Sequence, residues 1–139
     1  MKRDWDLLRK QLTDIEEEKD VLADIPDEPK FSDQSWDDYE RQLKEFNAVE
    51  ARIAGHLEML IDNGYVDGIQ VLRGADGHFA YGLASPRLTM SGHDFLDTMR
   101  SSKIWESIKA TAKKKGIELT FDAVKSLGIF ALKQLIEST

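Results

Sequence analysis

Apolar residues recur at three- and four-residue steps along most of the chain, which predicts a mainly helical protein. The first stripe begins just after Asp4, a favourable N-cap residue, and predicts the first helix. Its members are Trp5, Leu8, Leu12 and Ile15. Acidic residues then replace the apolar pattern, and Pro26 and Pro29 mark a polar, acidic loop over about residues 24–36.

A second helical region covers about residues 37–63, and its pattern fits either one helix or two. The first of its stripes contains Tyr39, Leu43 and Phe46, and the second contains Val49, Ile53, Leu57 and Leu60. The step from Phe46 to Val49 fits an unbroken helix. A helix-turn-helix needs a bend at Phe46-Asn47-Ala48, where Asn47 would cap the second helix. We favour the bend, and we expect Gly64 to end the region.

The spacing of apolar residues then changes from the helical period to a period of two, which is typical of a β-strand. Alternation of Ile69, Val71, Phe79 and Tyr81 with smaller or polar residues around Gly74-Ala75-Asp76-Gly77 predicts a β-hairpin over about residues 66–84. Pro86 is expected to end the hairpin. Thr89 is expected to cap the next helix, whose predicted buried residues are Phe95, Leu96 and Met99.

Two further helices are predicted, so that C-terminal helices occupy about residues 89–137. The first buries Ile104, Trp105, Ile108 and Ala112 and stops at Lys113-Lys114-Lys115-Gly116. Thr120 caps the second, whose main stripe is Phe121, Val124, Leu127, Ala131 and Leu135. The rest of its circumference carries Ile129, Phe130, Leu132 and Ile136. A helix that is apolar on most sides needs burial on most sides, which predicts self-association through these four residues.

The order of helix, glycine stop, hairpin and Thr-capped helix is typical of the second half of a winged helix-turn-helix. We therefore predict one mainly α domain over residues 1–139, with a β-hairpin wing and two additional C-terminal helices. A chain of 139 residues suits a single domain.

Composition narrows the function classes. The chain has no cysteine, which excludes disulfides, thiolate metal sites and a cysteine nucleophile. The charged start Met1-Lys2-Arg3-Asp4 does not resemble a signal peptide, and the apolar run from Leu127 to Leu132 is too short to cross a bilayer. We expect a cytoplasmic protein without membrane contact. Residues 1–68 carry 9 basic and 19 acidic side chains, whereas residues 69–139 carry 10 and 7.

Two resemblances add to this interpretation. Leu88, Thr89, Gly92 and Leu96 resemble the segment that follows the wing in many bacterial winged-helix repressors. Several stretches are also similar to a bacterial and phage family known as domain of unknown function 2513. They are Met1-Lys2-Arg3-Asp4, His56 to Tyr65, Leu88 to Asp97, Trp105 and Phe121-Asp122 to Lys125. The resemblance implies a winged-helix-like fold and a mobile-element or prophage setting, and it implies no catalytic residues.

Double-stranded DNA is the alternative ligand under this architecture. Residues 48–63 would then form the recognition helix, with Arg52 and His56 as donors to phosphates or guanine. Arg73 on the wing and Lys113, Lys114 and Lys115 would add phosphate contacts. The same helix, however, carries Glu50, Glu58 and Asp62, which repel a polyanion.

We favour a non-catalytic interaction protein that binds a protein partner and forms a homodimer. One variant is that the acidic face of residues 14–40 occupies a partner's nucleic-acid site. An enzyme is the least favoured class. His93, Asp94 and Asp97 resemble part of a metal site, but His56 and His78 lie on other elements without suitable spacing. We therefore predict no catalytic residues, no metal site and no cofactor.

Overall fold

The computed structural model describes residues 1–138 and contains, within them, five α-helices and one antiparallel β-hairpin. The elements are α1 (Trp5–Glu16), α2 (Trp36–Asp62), β1 (Val66–Arg73), β2 (Phe79–Leu88), α3 (Met90–Asp97), α4 (Ser102–Lys115) and α5 (Phe121–Glu137). They form two compact units, one of residues 1–88 and one that begins at Thr89. The prediction of a mainly helical α+β protein is confirmed.

The first unit is built around the predicted stripe of α1. Trp5, Leu8, Leu12 and Ile15 are all buried, and the Asp4 carboxylate caps the helix by accepting a hydrogen bond from the Leu7 N–H at 3.1 Å. Burial of four large apolar side chains contributes roughly 1.5–3 kcal/mol each to the folded state. The stripe therefore fixes which face of α1 packs against α2.

The second helical region is one unbroken helix of 27 residues, so the predicted bend at Asn47 is wrong. The stretch from Trp36 to Ala54 contains neither glycine nor proline, and the three-residue step from Phe46 to Val49 continues the helical register. Asn47 is exposed, and the helix is capped instead at Ser35, whose hydroxyl accepts from the Asp38 N–H at 3.1 Å. Gly64 follows the helix with a φ of 75°, as predicted.

The hairpin begins at Val66, as predicted, but continues to Leu88, so the expectation that Pro86 ends it is wrong. In a two-stranded sheet each strand has one unpaired edge, where a residue without an N–H costs no ladder hydrogen bond. The pairing is irregular between Asp67 and Ile69, and Gly68 adopts a φ of 80° there. A Cβ at Gly68 would lie 2.6 Å from the Ser85 carbonyl oxygen, so the irregularity requires glycine.

Most of the helix boundaries predicted for the second unit are confirmed. Thr89 and Thr120 cap α3 and α5, each accepting from a backbone N–H at 3.0 Å, and Gly116 ends α4 with a φ of 65°. The predicted core residues of α3 and α4 are buried: Phe95, Leu96, Met99, Ile104, Trp105, Ile108 and Ala112. On α5 only Val124 and Gly128 are buried. The main predicted stripe of α5 is therefore less buried than expected.

Candidate interaction surfaces

Residues that precede α1 contact α2 at Arg52, Gly55 and His56. The Met1 side chain lies over Gly55, where a Cβ would overlap Met1 Cε. The backbone N–H of Asp4 donates to His56 Nε2 at 2.8 Å, and the Asp4 carboxylate forms an ion pair with Arg52. Three positions that a recognition helix would turn towards DNA are therefore in contact with residues 1–4 of the same chain.

His56 is fully buried, so it lies where a nucleic acid does not reach it in this conformation. Its Nε2 accepts the Asp4 N–H, which leaves the ring proton on Nδ1 to donate to the Arg52 carbonyl at 2.7 Å. Burial lowers the pKa of His56 below its usual value, and the hydrogen bond to the Arg52 carbonyl opposes this effect only in part. The imidazole is held neutral and links α1 to α2, so its role as a DNA donor is not supported.

Both candidate arginines of the first unit are paired with carboxylates. Arg73 forms a bidentate interaction with Glu58, with three N···O distances between 2.5 and 3.1 Å, and its guanidinium lies 5.0 Å from the Phe79 ring centroid. Arg52 is paired with Asp4. A carboxylate beside each guanidinium reduces the positive charge that a phosphate would meet. These two cations therefore stabilise contacts within the unit.

Tyr81 adds another contact between the hairpin and α2. Its hydroxyl donates to Glu50 at 3.2 Å. Burial, together with the nearby Glu50 carboxylate, raises the pKa of the Tyr81 hydroxyl, so that it remains a donor. Glu50 and Glu58, about two helical turns apart on α2, thus both contact the hairpin. Sequence reasoning treated both carboxylates only as charges repelling DNA.

Lys113, Lys114 and Lys115 lie in the last turn of α4 and are exposed. Three cations at a helix C-terminus stabilise the helix through its dipole. Within residues 1–138 the structure gives none of these three lysines a carboxylate partner, which distinguishes them from Arg52 and Arg73. They form the largest unpaired basic group among the predicted contacts.

The four candidate self-association residues lie on the exposed part of α5, with different degrees of exposure. Ile136 is 71% exposed, Phe130 59% and Ile129 41%, while Leu132 is half-buried. Ile129, Leu132 and Ile136 are spaced by three and four residues, so they share one stripe. Phe130 lies about 100° around the helix from Ile129 and belongs to a different part of the surface.

Phe130 borders a groove between α4 and α5. This groove has a volume of about 270 Å³ and is lined by Ile108, Thr111, Leu127, Phe130, Ala131 and Gln134 among others. A second groove of about 320 Å³ shares Ser107, Ala131 and Gln134 with the first and is bordered by Leu135. Leu135 itself is 47% exposed. The α5 surface, meaning Ile129, Phe130, Leu132, Leu135 and Ile136, thus combines exposed apolar side chains with two concavities.

Comparison with known proteins gives the family. The model of the family described as "Hypothetical protein (DUF2513)" matches residues 2–118. The chain belongs to this family. It is also 26% identical over 137 residues to a Haemophilus influenzae protein described as "Uncharacterized protein", a match that covers 98% of this chain and 99% of that protein. No solved structure matches the chain.

The family match confirms one of the two resemblances drawn from sequence. It ends before α5, so the predicted similarity at Phe121 to Lys125 lies outside the matched residues. The winged-helix and prophage expectations remain predictions. Among residues 1–138 no group of three or more His, Cys, Asp or Glu side chains is placed to hold a metal ion, and no helix has the length and apolarity that a membrane span requires.

Sequence reasoning missed the residues that cover α2. Asp4 was identified only as an N-cap, and its second interaction, with Arg52, joins residues 48 positions apart. Met1 carried no signal for its contact with Gly55. An isolated glycine inside a helix pattern costs about 1 kcal/mol relative to alanine, and Gly55 was a position where this cost called for a packing reason.

Proposed function

We propose that this protein is a non-catalytic interaction protein whose α5 surface binds another protein, with a second copy of the chain as a partner. The observation that carries the proposal is the exposure of four large apolar side chains on one helix: Ile129, Phe130, Leu135 and Ile136. Ile129 and Ile136 share one stripe of the helix, and contiguous exposed apolar surface usually marks an interaction site, because covering it removes it from water.

The small number of buried residues on the apolar helix α5 supports this proposal. Val124 and Gly128 are its only buried residues, although the helix is apolar around most of its circumference. Partial burial within the chain leaves a stripe of Ile129, Leu132 and Ile136 that a partner helix can cover in the manner of helix-helix packing. The two adjacent grooves offer space for side chains of the partner.

The test is the solution mass of the protein and of matched variants. We expect the wild type to form a dimer at about 100 µM by light scattering, a concentration that suits an association of micromolar strength. Ile136→Asp and Phe130→Asp place a carboxylate in the apolar surface and should yield folded monomers. Ser126→Asp places the same carboxylate at an exposed polar position of α5 and should remain dimeric. A wild type that is monomeric at this concentration contradicts self-association.

DNA-binding regulation by a winged-helix-like domain is the alternative proposal. The order α2, hairpin and α3 supports it, as do the exposed, unpaired Lys113, Lys114 and Lys115. The unbroken α2 and the carboxylates beside Arg52 and Arg73 count against it. A protein partner therefore remains the better-supported ligand, and the prophage setting would apply to either proposal.

A further inference from the structure

A second exposed surface lies in the first unit, around the first half of α2 and the loop that precedes it. Three aromatic rings at the start of α2 contact one another: Phe31, Trp36 and Tyr39, which we call the aromatic cluster. Their ring centroids lie 5.5–5.7 Å apart, and Phe31 and Trp36 are 56% and 59% exposed. Exposed tryptophan and phenylalanine side chains in mutual contact are frequent at protein interfaces, because each offers a large contact area at a low entropy cost.

An apolar groove continues from the aromatic cluster along α2. It has a volume of about 440 Å³ and is lined by Pro26, Asp27, Pro29, Gln42, Glu45, Phe46 and Val49, which we call the Pro26–Val49 groove. Tyr39 precedes Gln42 and Phe46 by three and seven residues, so the cluster and the groove lie on one face of the helix. A hydrogen bond of 3.4 Å between Gln34 and Gln42 joins the preceding loop to the same face.

Charge identifies the kind of partner. Residues 24–40 contain seven acidic side chains and one basic side chain, Lys30. Asp27 and Glu45, which border the groove, have no ion-pair partner among residues 1–138, whereas the nearby Asp24 and Asp38 are paired with Lys10 and Arg41. Unpaired carboxylates beside an apolar floor complement a ligand that is both basic and apolar. Exposed Trp36 adds a ring face on which a guanidinium can lie.

We propose that the Pro26–Val49 groove and the aromatic cluster bind a basic, amphipathic segment of a partner protein. The apolar side chains of that segment enter the groove between the prolines and Val49. Its arginine or lysine side chains pair with Asp27 and Glu45 and stack on the aromatic cluster. This surface uses no residue of α5, so it is independent of the self-association proposed above.

The probes are three fluorescein-labelled twelve-residue peptides. The first alternates arginine and leucine pairs, the second replaces every arginine with glutamate, and the third replaces every leucine with serine. Anisotropy should detect binding of the first peptide and none of the second. The third should bind at least about tenfold more weakly, because it lacks the apolar groups that fill the groove. If the third binds as tightly as the first, or if the first does not bind, the proposal fails.

Variants locate the binding. Trp36→Ala and Glu45→Lys change exposed side chains, and each should weaken the first peptide at least about fivefold. Asp62→Lys makes the same charge reversal as Glu45→Lys at an exposed residue of the same helix, about 25 Å further along its axis, and should change the affinity less than about twofold. Equal weakening by both reversals would indicate diffuse attraction to an acidic protein and would overturn the proposal.

Tryptophan fluorescence gives an independent measurement. Trp5 and Trp105 are buried, so Trp36 is the indole that acrylamide reaches among the three. The first peptide should protect the protein from acrylamide quenching, and the glutamate peptide should not. Peptide binding that leaves the quenching unchanged would place the contact away from the aromatic cluster and would contradict the proposed site.

Discussion

The backbone N–H of Asp4 donates a hydrogen bond to Nε2 of His56, a residue 52 positions later, at 2.8 Å. This bond requires the neutral imidazole, because a protonated ring has no acceptor nitrogen. The other ring nitrogen donates to the Arg52 carbonyl, so both nitrogens of a fully buried side chain are satisfied. His56 therefore joins the start of α1 to α2 only while it is uncharged.

Stability should fall with acidification because of His56. Since the folded pKa lies below the unfolded value of 6.5, the unfolded chain binds the proton more readily. The stabilisation is present in full above the unfolded pKa and is lost as the pH falls from there through the lowered folded pKa. Urea denaturation at pH 7.5 and pH 5.5 should show this decrease in the wild type.

Two variants identify the responsible residue. His56→Gln should unfold more easily at pH 7.5, by about 1–3 kcal/mol, because a buried hydrogen-bond network is altered. It should also lose most of the decrease between pH 7.5 and pH 5.5. His93→Gln removes an exposed imidazole from α3 and should retain the decrease. A decrease that persists in His56→Gln would assign the pH dependence to other groups.

Asp4 has two roles that substitution can separate. Asp4→Asn keeps a side-chain oxygen to cap α1 and loses only the charge that faces Arg52. We expect a loss of less than about 1 kcal/mol, because the Arg52 side chain is 54% exposed and solvent screens the pair. Asp4→Ala also loses the cap and should cost about 1 kcal/mol more. Equal stabilities of the two variants, by urea denaturation, would show that the cap contributes little.

Close packing at Gly128 should make the second unit sensitive to one methyl group. A Cβ at Gly128 would overlap the Thr98 side chain and lie 2.8 Å from the Thr98 carbonyl oxygen. Backbone cannot move as easily as a side-chain end, so Gly128→Ala should destabilise the protein by about 1–3 kcal/mol despite the better helix propensity of alanine. Ser126→Ala, at an exposed position of α5, should be neutral or slightly stabilising. A stabilised Gly128→Ala would contradict this packing.

Local signals were sufficient for most of the element boundaries. Asp4, Thr89, Gly116 and Thr120 were identified from capping chemistry alone, and each caps or ends the predicted helix. Such interactions lie within four residues of one another, so the sequence contains both partners side by side. Apolar spacing likewise predicted the buried stripes of α1 and α4, because helical period determines which residues share a face.

The two wrong boundaries, at Asn47 and Pro86, arose where two local sequence signals favoured different structures. Asn47 is a good cap residue, yet the surrounding stretch favours helix more strongly than one cap favours a break. Proline usually ends a central strand, but Pro86 is tolerated because the sheet has only two strands. The contacts of Met1, Asp4 and Glu58 with residues far along the chain depend on how the elements pack, which periodicity does not specify.

DNA binding through α2 and protein binding predict different DNA affinities for one double variant. If the outward face of α2 met DNA, the double substitution Asp4→Asn and Glu58→Gln would free Arg52 and Arg73 from their carboxylates and strengthen binding. We expect neither the wild type nor this variant to shift random duplex DNA at 150 mM salt in a gel assay, because Glu50 and Asp62 remain on the helix.

DNA binding by the lysines at the end of α4 is tested separately, by the salt dependence of the gel shift. A protein that neutralises 6–10 phosphates loses roughly 10³–10⁵ in affinity between 50 and 200 mM salt, which gives a clear signature of phosphate contacts. Should a shift with this salt dependence occur, and should Lys113→Glu combined with Lys115→Glu abolish it, DNA would replace protein as the favoured ligand. A weak shift at 50 mM salt alone would instead be the non-specific attraction expected of any exposed lysine group, and the protein-binding proposal would stand.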